Sequence, residues 1–120
     1  MALLVGLECL SQTQQHMKQN GVTIEVVKFK LKEGITHAQG ERKLLQLDEC
    51  IKHFEGFIER NLSSNEDGEW VDIVYWETLQ QALAAAEQAS KDPKALESFA
   101  VIDESTIVMQ HYNLIHKFNN

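Results

Sequence analysis

The sequence predicts one α+β domain whose elements follow the order β-α-β-β-α-β. Short runs rich in β-branched and aromatic residues alternate between apolar and polar positions, which is typical of half-buried strands. Two longer stretches repeat apolar residues every three or four positions, as amphipathic helices do. The length of 120 residues suits one domain, and the 43% hydrophobic and 24% charged content is typical of a globular protein.

The first half of the chain predicts a strand, a helix and a second strand. Residues 22–31 (VTIEVVKFKL) alternate in polarity and predict the first strand. Thr36 and Gln39 form a capping-box pattern, and the apolar stripe that follows predicts a helix over residues 37–54. Residues 57–62 (FIERNL) then predict a short second strand.

The second half predicts a hairpin, two helices and a last strand. A turn at 63–68 (SSNEDG) joins the second strand to a third strand at 70–76 (WVDIVYW). An alanine-rich helix follows, opened by a possible capping box at Thr78 and Gln81, and a short helix begins after Asp92-Pro93. The fourth strand is predicted at 106–115 (TIVMQHYNLI). We expect Leu83, Ala86 and Ala89 to share one face of the alanine-rich helix.

This element order is the ferredoxin-like arrangement, in which an antiparallel sheet carries its helices on one face. Strands one and three nevertheless carry apolar residues on both faces. The set Ile24, Val26, Val71, Ile73 and Tyr75 opposes the set Val27, Phe29, Val74 and Trp76. Because helices can cover one set only, we expect a second copy of the chain to cover the other, which predicts a homodimer through the sheet face.

Charge and composition exclude several classes of protein. The net charge of −7 argues against nucleic-acid binding and against an anionic membrane surface. The apolar run at residues 2–7 is too short to cross a bilayer, and it lacks the basic start and cleavage site of a signal peptide. Cys9 and Cys50 form no disulfide framework. These features predict a cytoplasmic protein without nucleic-acid or membrane partners.

The strongly patterned sequence begins only after Met17. Either Met17 is the natural start, or residues 1–16 form an accessory helix in which Leu3, Leu7 and Leu10 share a face. We therefore divide the chain into an N-terminal extension (1–21), a domain (22–116) and a short tail (117–120).

Three stretches of the chain, VVKFKLKEG, FEGFIERNL and WVDIVYWETLQQALAA, carry a resemblance to a known family. In the last of them a strand ends at Trp76 and a helix begins within three residues. Over about residues 22–115 the chain resembles the antibiotic biosynthesis monooxygenase (ABM) domain of the dimeric α+β barrel superfamily. The resemblance implies a pocket between sheet and helices in each subunit, and a barrel formed by two sheets at the dimer interface.

The family includes cofactor-free quinone-forming monooxygenases and haem-degrading monooxygenases. In the haem-degrading branch the pocket carries an Asn on strand one, a Trp at the end of strand three and a His on the following helix. Trp76 matches the Trp, but Val27 occupies the strand-one position, and no His lies between Thr78 and Ile102. We therefore expect no haem degradation and no cofactor.

Three residues are candidates for catalysis. His111 on strand four could act as a base, because imidazole titrates near neutral pH. Trp76 would shape the pocket, and Asp72 would act as an acid, a base or a hydrogen-bond acceptor. Each candidate has a structural alternative. His111 could be a partly buried histidine bonded to a backbone or carboxylate partner. The indoles of Trp70 and Trp76 could be core or interface anchors, and Asp72 could pair with a lysine.

Four further residues are candidates for substrate binding. Trp70 would extend an aromatic wall for a planar molecule, and Asn61, beside Arg60, could orient a substrate oxygen. Phe29 and Val27 would supply apolar lining from strand one. The alternative for Asn61 is a solvated position on an edge strand.

Metal binding and nucleophilic catalysis lack support in the sequence. His111 and His116 are five residues apart, so on one strand they point to opposite faces. Glu49 and His53 are helical neighbours, but two ligands do not make a metal site. Cys50 lies beside the apolar stripe of helix one, where we expect an inert thiol.

Two functions stay open on the sequence. The first is a cofactor-independent monooxygenase, or a related isomerase or cyclase, acting on a small hydrophobic or aromatic molecule. The second is a non-catalytic, small-molecule-binding or stress-related dimer in which the pocket residues only pack.

Overall fold

The computed structural model describes residues 21–120. The strands are β1 (Thr23–Leu31), β2 (Phe57–Ser64), β3 (Glu69–Trp76) and β4 (Ile102–Asn113). The helices are α1 (His37–Leu45), α2 (Asp48–Ile51), α3 (Leu79–Ala89) and α4 (Pro93–Phe99). The predicted order of strands and helical regions is confirmed. The predictions about Met17 and residues 1–16 lie outside the described residues.

The four strands form one antiparallel sheet in the order β2-β3-β1-β4. In this register Glu25 on β1 lies opposite Val74 on β3 and His111 on β4. Val27 lies opposite Asp72, again on β3. Residues paired across an antiparallel ladder point to the same face, so these side chains share one side of the sheet.

The two faces of the sheet differ in what covers them. Along β3, Trp70, Asp72, Val74 and Trp76 are buried, whereas the intervening residues are only half-buried. The buried side packs on the helices, with Leu44 against Phe29 and Trp70 at one end of the sheet and alanines of α3 against Val74 and Trp76 at the other. The opposite side, which we call the open face, carries the half-buried or exposed apolar residues Ile24, Val26, Val71, Ile73, Tyr75, Val108 and Tyr112. The predicted two-sided apolar pattern is therefore present.

The capping box predicted at Thr36 is formed, but the single helix predicted over residues 37–54 is wrong. The Leu47 N–H donates to Leu44 O, and the Cys50 N–H donates to Leu47 O, so the chain makes tighter turns between α1 and α2. This break leaves the predicted stripe in place, since Leu44, Leu47 and Ile51 are all buried.

Small residues form most of the buried face of α3. Leu79, Ala82, Ala85 and Ala89 are buried, while Leu83 and Ala86 are only half-buried. Small side chains at this face allow the helix to lie close to the large Trp76 ring.

Two further details of the predicted elements change. Thr78 caps α3 by accepting a hydrogen bond from the Gln81 N–H, but the Gln81 side-chain oxygen makes no reciprocal bond within residues 21–120. β4 begins at Ile102, four residues before the predicted start, because Ile102 pairs with Leu31 beyond an irregularity in the ladder. No helix within residues 21–120 is long and apolar enough to cross a membrane.

A buried arginine joins two strands to the first helical region. The Arg60 side chain on β2 is 3% exposed and donates to both carboxylate oxygens of Asp72, at 2.7–3.2 Å. The same guanidinium donates to Leu44 O at 2.8 Å and to the Asp48 carboxylate at 2.9 Å. Burial disfavours the charged guanidinium, but its two carboxylate partners hold the pKa of Arg60 above its usual value.

We expect Arg60→Met to destabilise the fold by about 3 kcal/mol, because it leaves the buried Asp72 carboxylate without its partner. Lys43→Met is the matched control, since it removes the exposed ion pair of Lys43 with Glu97, for which we expect a loss below about 1 kcal/mol. Urea unfolding of both variants at one protein concentration measures the difference. Equal losses in the two variants would contradict the role assigned to Arg60.

Candidate functional site

A cavity of about 80 Å³ lies between the helix-covered side of the sheet and the helices. One water needs roughly 10–15 Å³ of such space, so the cavity has room for several waters or a small organic molecule. The helices and the turns beside them line it with apolar side chains, which are Leu44, Leu47, Ile51, Phe54, Ala85, Ala86, Ala89 and Phe99. The strands and the residues that join them add Glu25, Val27, Phe29, Asp72, Val74, Trp76, Ile102, Glu104, Ile107 and Met109.

Four of the seven predicted site residues line this cavity, namely Val27, Phe29, Asp72 and Trp76. The Trp76 ring is 1% exposed and packs edge-on against Phe57 at a centroid distance of 5.9 Å. Trp76 therefore serves as a core anchor and as a cavity wall at the same time. The other three predicted residues lie elsewhere.

Trp70 is on the predicted face of β3 but belongs to the core beside the cavity. Its ring stacks on Phe29 with an interplanar angle of 9° and on His37 at a centroid distance of 4.7 Å. His37 is in turn within 3.0 Å of the Ser64 hydroxyl. Trp70 thus packs behind Phe29 and fixes its ring.

Asn61 lies on the other side of the sheet. It pairs with Ile73 on the open face, is exposed, and donates to the Glu59 carboxylate at 2.9 Å. A β-bulge between Phe57 and Glu59 shifts the alternation of β2, so that Arg60 points to the helices. Asn61 therefore cannot reach a ligand in the cavity of its own subunit.

Asp72 pairs with Arg60 and not with a lysine, the partner considered from the sequence. Its side chain is 12% exposed and is held by two of the three guanidinium nitrogens, Nε and Nη2. A bidentate pair of this kind is stronger than a neutral hydrogen bond and fixes the orientation of the carboxylate. Asp72 therefore brings a fixed, compensated negative charge to the cavity wall.

Glu25 is the site residue that the sequence reasoning missed. Its side chain is 9% exposed, lines the cavity and accepts a hydrogen bond from Trp76 Nε1 at 2.9 Å. Burial raises the pKa of Glu25 to about 7; the Trp76 hydrogen bond opposes this shift and the nearby Asp72 charge adds to it. Glu25 lies on the same face of β1 as Val27 and Phe29. A carboxylate among apolar residues on that face is the sequence signal that identifies it.

His111 lies behind Glu25 and outside the cavity lining. Its side chain is 1% exposed, and Nε2 is 3.7 Å from Glu25 Oε2, too far for a hydrogen bond. Neither ring nitrogen has a hydrogen-bond partner within residues 21–120, so the bonded histidine considered from the sequence is not formed there. Burial lowers the pKa of His111 to about 4, which leaves the imidazole neutral at neutral pH.

The described residues offer no cluster of three or more His, Cys, Asp or Glu side chains that could hold a metal ion. Cys50 is half-buried, and burial raises the pKa of its thiol further above neutral pH. A protonated thiol of this kind is a poor nucleophile.

Comparison with solved structures identifies the fold. No protein-family model and no curated protein matches the sequence. A candidate antibiotic biosynthesis monooxygenase from Bordetella bronchiseptica is similar at a TM-score of 0.67 and 16% identity, over 80% of this chain and 99% of that one. SnoaB, a cofactor-independent oxygenase from Streptomyces nogalater, is similar at a TM-score of 0.58 and 16% identity, over 82% and 96% of the two chains.

A third similar structure, with a TM-score of 0.61 and 11% identity over 82% of this chain and 99% of that one, is a point mutant of MhuD with two manganese protoporphyrin IX molecules bound per active site. The cavity of the present chain does not suit a porphyrin. Its volume is about 80 Å³, and no His, Cys or Tyr lies among its lining residues within the described part of the chain. His111, the nearest imidazole to Glu25 across the β1–β4 ladder, lies outside that lining.

We expect the stabilities of Glu25→Gln and His111→Gln to change with pH in opposite directions relative to the parent protein. Between about pH 4.5 and 6.5 the folded chain holds a proton on Glu25 that the unfolded chain loses, while the unfolded chain holds one on His111 that the folded chain lacks. Because the two effects cancel in the parent, Glu25→Gln leaves only the histidine effect, so its stability rises with pH. His111→Gln leaves only the glutamate effect, so its stability falls.

The expected slope difference from the parent is up to about 1.4 kcal/mol per pH unit in each variant, positive for the first and negative for the second. Urea unfolding at several pH values in this window measures it. Slopes of the same sign in both variants would show that the folded protein does not bury a protonated Glu25 beside a neutral His111.

Proposed function

We propose that this chain, which has the fold of the ABM-domain proteins, is a cofactor-independent monooxygenase acting on a small hydrophobic, aromatic molecule. The observation that carries the proposal is the cavity, a mainly apolar space that holds two buried carboxylates and has Trp76 as one wall. Such a space can hold a substrate away from water and beside a proton acceptor.

The reaction that suits this site needs an ionisable substrate. A base removes a proton from an activated CH₂ group of the bound aromatic molecule, and the carbanion transfers an electron to O₂. Recombination and protonation give a hydroperoxide, which loses water to leave a ketone or quinone. One oxygen atom of O₂ enters the product and the other leaves as water, and the substrate supplies all the electrons.

The predicted catalytic residues take different parts in this proposal. Trp76, with Phe29 and Val27, shapes the cavity wall. Asp72 is paired with Arg60, whose two hydrogen-bonding nitrogens hold its carboxylate in place at the cavity wall. His111 is neutral but lies behind Glu25, so it can act on a ligand only through that carboxylate.

Oxygen consumption tests the proposal. We expect chelator-treated protein to consume O₂ with planar aromatic ketones that have an acidic CH₂ group, in a one-to-one ratio to product. Ala86→Leu fills the cavity from α3 and should lower turnover at least about tenfold, while Ala84→Leu, on the exposed side of the same helix, should leave it unchanged. If the parent protein binds these compounds without consuming O₂, and Ala86→Leu abolishes the binding, the non-catalytic binding protein is favoured. Equal turnover in Ala86→Leu and Ala84→Leu would place the reaction outside the cavity.

We also propose that the chain forms a homodimer through the open face. On this face β3 and β4, the two strands that neighbour β1, both carry apolar side chains. Val108 and Tyr112 on β4 are 53% and 48% exposed in the single chain. Apolar area of this kind on a sheet is costly to leave in water. The resemblance to dimeric α+β barrels supports the same assembly.

We expect Ile73→Glu, at the centre of the open face, to convert the dimer to a monomer, because it would bury a charge in the interface. Leu45→Glu is the matched control: Leu45 is an equally apolar, 48% exposed residue on α1. Light scattering coupled to gel filtration measures the mass of each variant. A parent protein that is monomeric, or dimers of both variants, would contradict the proposed interface.

A further inference from the structure

We propose that Glu25 recognises the ligand of the cavity by accepting a hydrogen bond from a hydroxyl group, so that the ligand is a phenol or enol of small size. The inference rests on the proposed function only in requiring that the cavity bind a small molecule. It goes further in naming the group on the protein and the group on the ligand.

The two oxygens of the Glu25 carboxylate are in different situations. Oε1 accepts the hydrogen bond from Trp76 Nε1 at 2.9 Å, which fixes the carboxylate against the indole wall. Oε2 accepts no hydrogen bond from residues 21–120, and His111 Nε2, at 3.7 Å, is too far away to donate one. This oxygen therefore keeps a free acceptor position in a mainly apolar cavity, and a donor group of the ligand would be stabilised there.

The charges around Glu25 favour a neutral donor over an anion. Asp72 on β3 faces the same cavity, and although Arg60 compensates it, two carboxylates would repel an anionic ligand. A hydroxyl group satisfies Oε2 without adding charge to the site. It is also the group from which a carboxylate can begin to withdraw a proton.

Few titratable groups surround Glu25, which allows its part to be separated. From β3 it faces Asp72 and the Trp76 indole, from β4 it faces His111, and Glu104 lies at the exposed margin of the cavity. The helices and the turns beside them contribute only apolar side chains to the lining. Since burial and the Asp72 charge raise the pKa of Glu25 to about 7, ionisation of this group is the change that a ligand would sense near neutral pH.

Binding of para-ethylphenol and ethylbenzene, two probes that differ only in the hydroxyl group, tests the inference by calorimetry on the full chain. Both should bind in the cavity, and the phenol should bind at least about tenfold more tightly once Glu25 is ionised, as a hydrogen bond to a charged acceptor does. Its affinity should rise between about pH 6 and 8, where the phenol itself stays protonated, while the affinity of ethylbenzene should not change.

The variants assign the effect. Glu25→Gln keeps an oxygen for the Trp76 hydrogen bond and should abolish the pH dependence and most of the preference for the phenol. Glu87→Gln removes an exposed carboxylate on α3 and should change neither. The pH dependence in the parent protein keeps the test valid should Glu25→Gln fail to fold.

The failures can be told apart. Equal binding of both probes by the parent at all pH values would overturn the role of Glu25 while leaving a cavity for small aromatic molecules. If the preference for the phenol survives in Glu25→Gln and is lost in Glu104→Gln, the acceptor is Glu104 at the cavity margin. This result would also overturn the role of Glu25. Binding of neither probe would count against the cavity, and so against the proposed function as well.

Discussion

The hydrogen bond from the Trp76 indole to the Glu25 carboxylate is the interaction on which the site depends. It joins β1 to the last residue of β3 on the helix-covered side of the sheet, and it places an acceptor and an aromatic wall side by side. The antiparallel register makes this contact possible, because Trp76 pairs with Thr23, two residues before Glu25 on the same face. A slip by one residue would turn Glu25 to the open face and leave the indole N–H unpaired in the core.

The two buried carboxylates of the cavity differ because their neighbours differ. Asp72 has Arg60 held against it, and Arg60 is itself fixed by Asp48 and by Leu44 O. Glu25 has no cation beside it, so burial disfavours its ionised form and the hydrogen bond from the Trp76 indole only partly offsets this effect. Two carboxylates with such different partners can divide the work of a site, one held by a cation and the other free to meet a ligand.

The alternation of apolar and polar residues was enough to predict the sheet and the two-sided pattern of β1 and β3. The pocket, which Val27, Phe29 and Trp76 line, was implied by the resemblance to the ABM domain. The alternation failed where local geometry breaks the period. The bulge in β2 exchanges the faces of Arg60 and Asn61, so the residue predicted to point at a ligand faces outward and the arginine faces the core. The tight turn at Leu47 divides the predicted helix, since a short segment with i to i−3 hydrogen bonds keeps the same stripe buried.

The sequence alone did not single out Glu25, because glutamate side chains are almost always exposed to solvent. Its burial has a cost that helps to explain what it is for. A carboxyl whose pKa rises from 4.5 to about 7 on folding destabilises the native state by roughly 3 kcal/mol above neutral pH. A glutamine in the same place could accept the Trp76 hydrogen bond without that penalty, so packing and the indole N–H do not account for the charge. The part of Glu25 that a glutamine could not replace is its ability to gain and lose a proton at the wall of an apolar cavity, which is the property that the proposed chemistry requires.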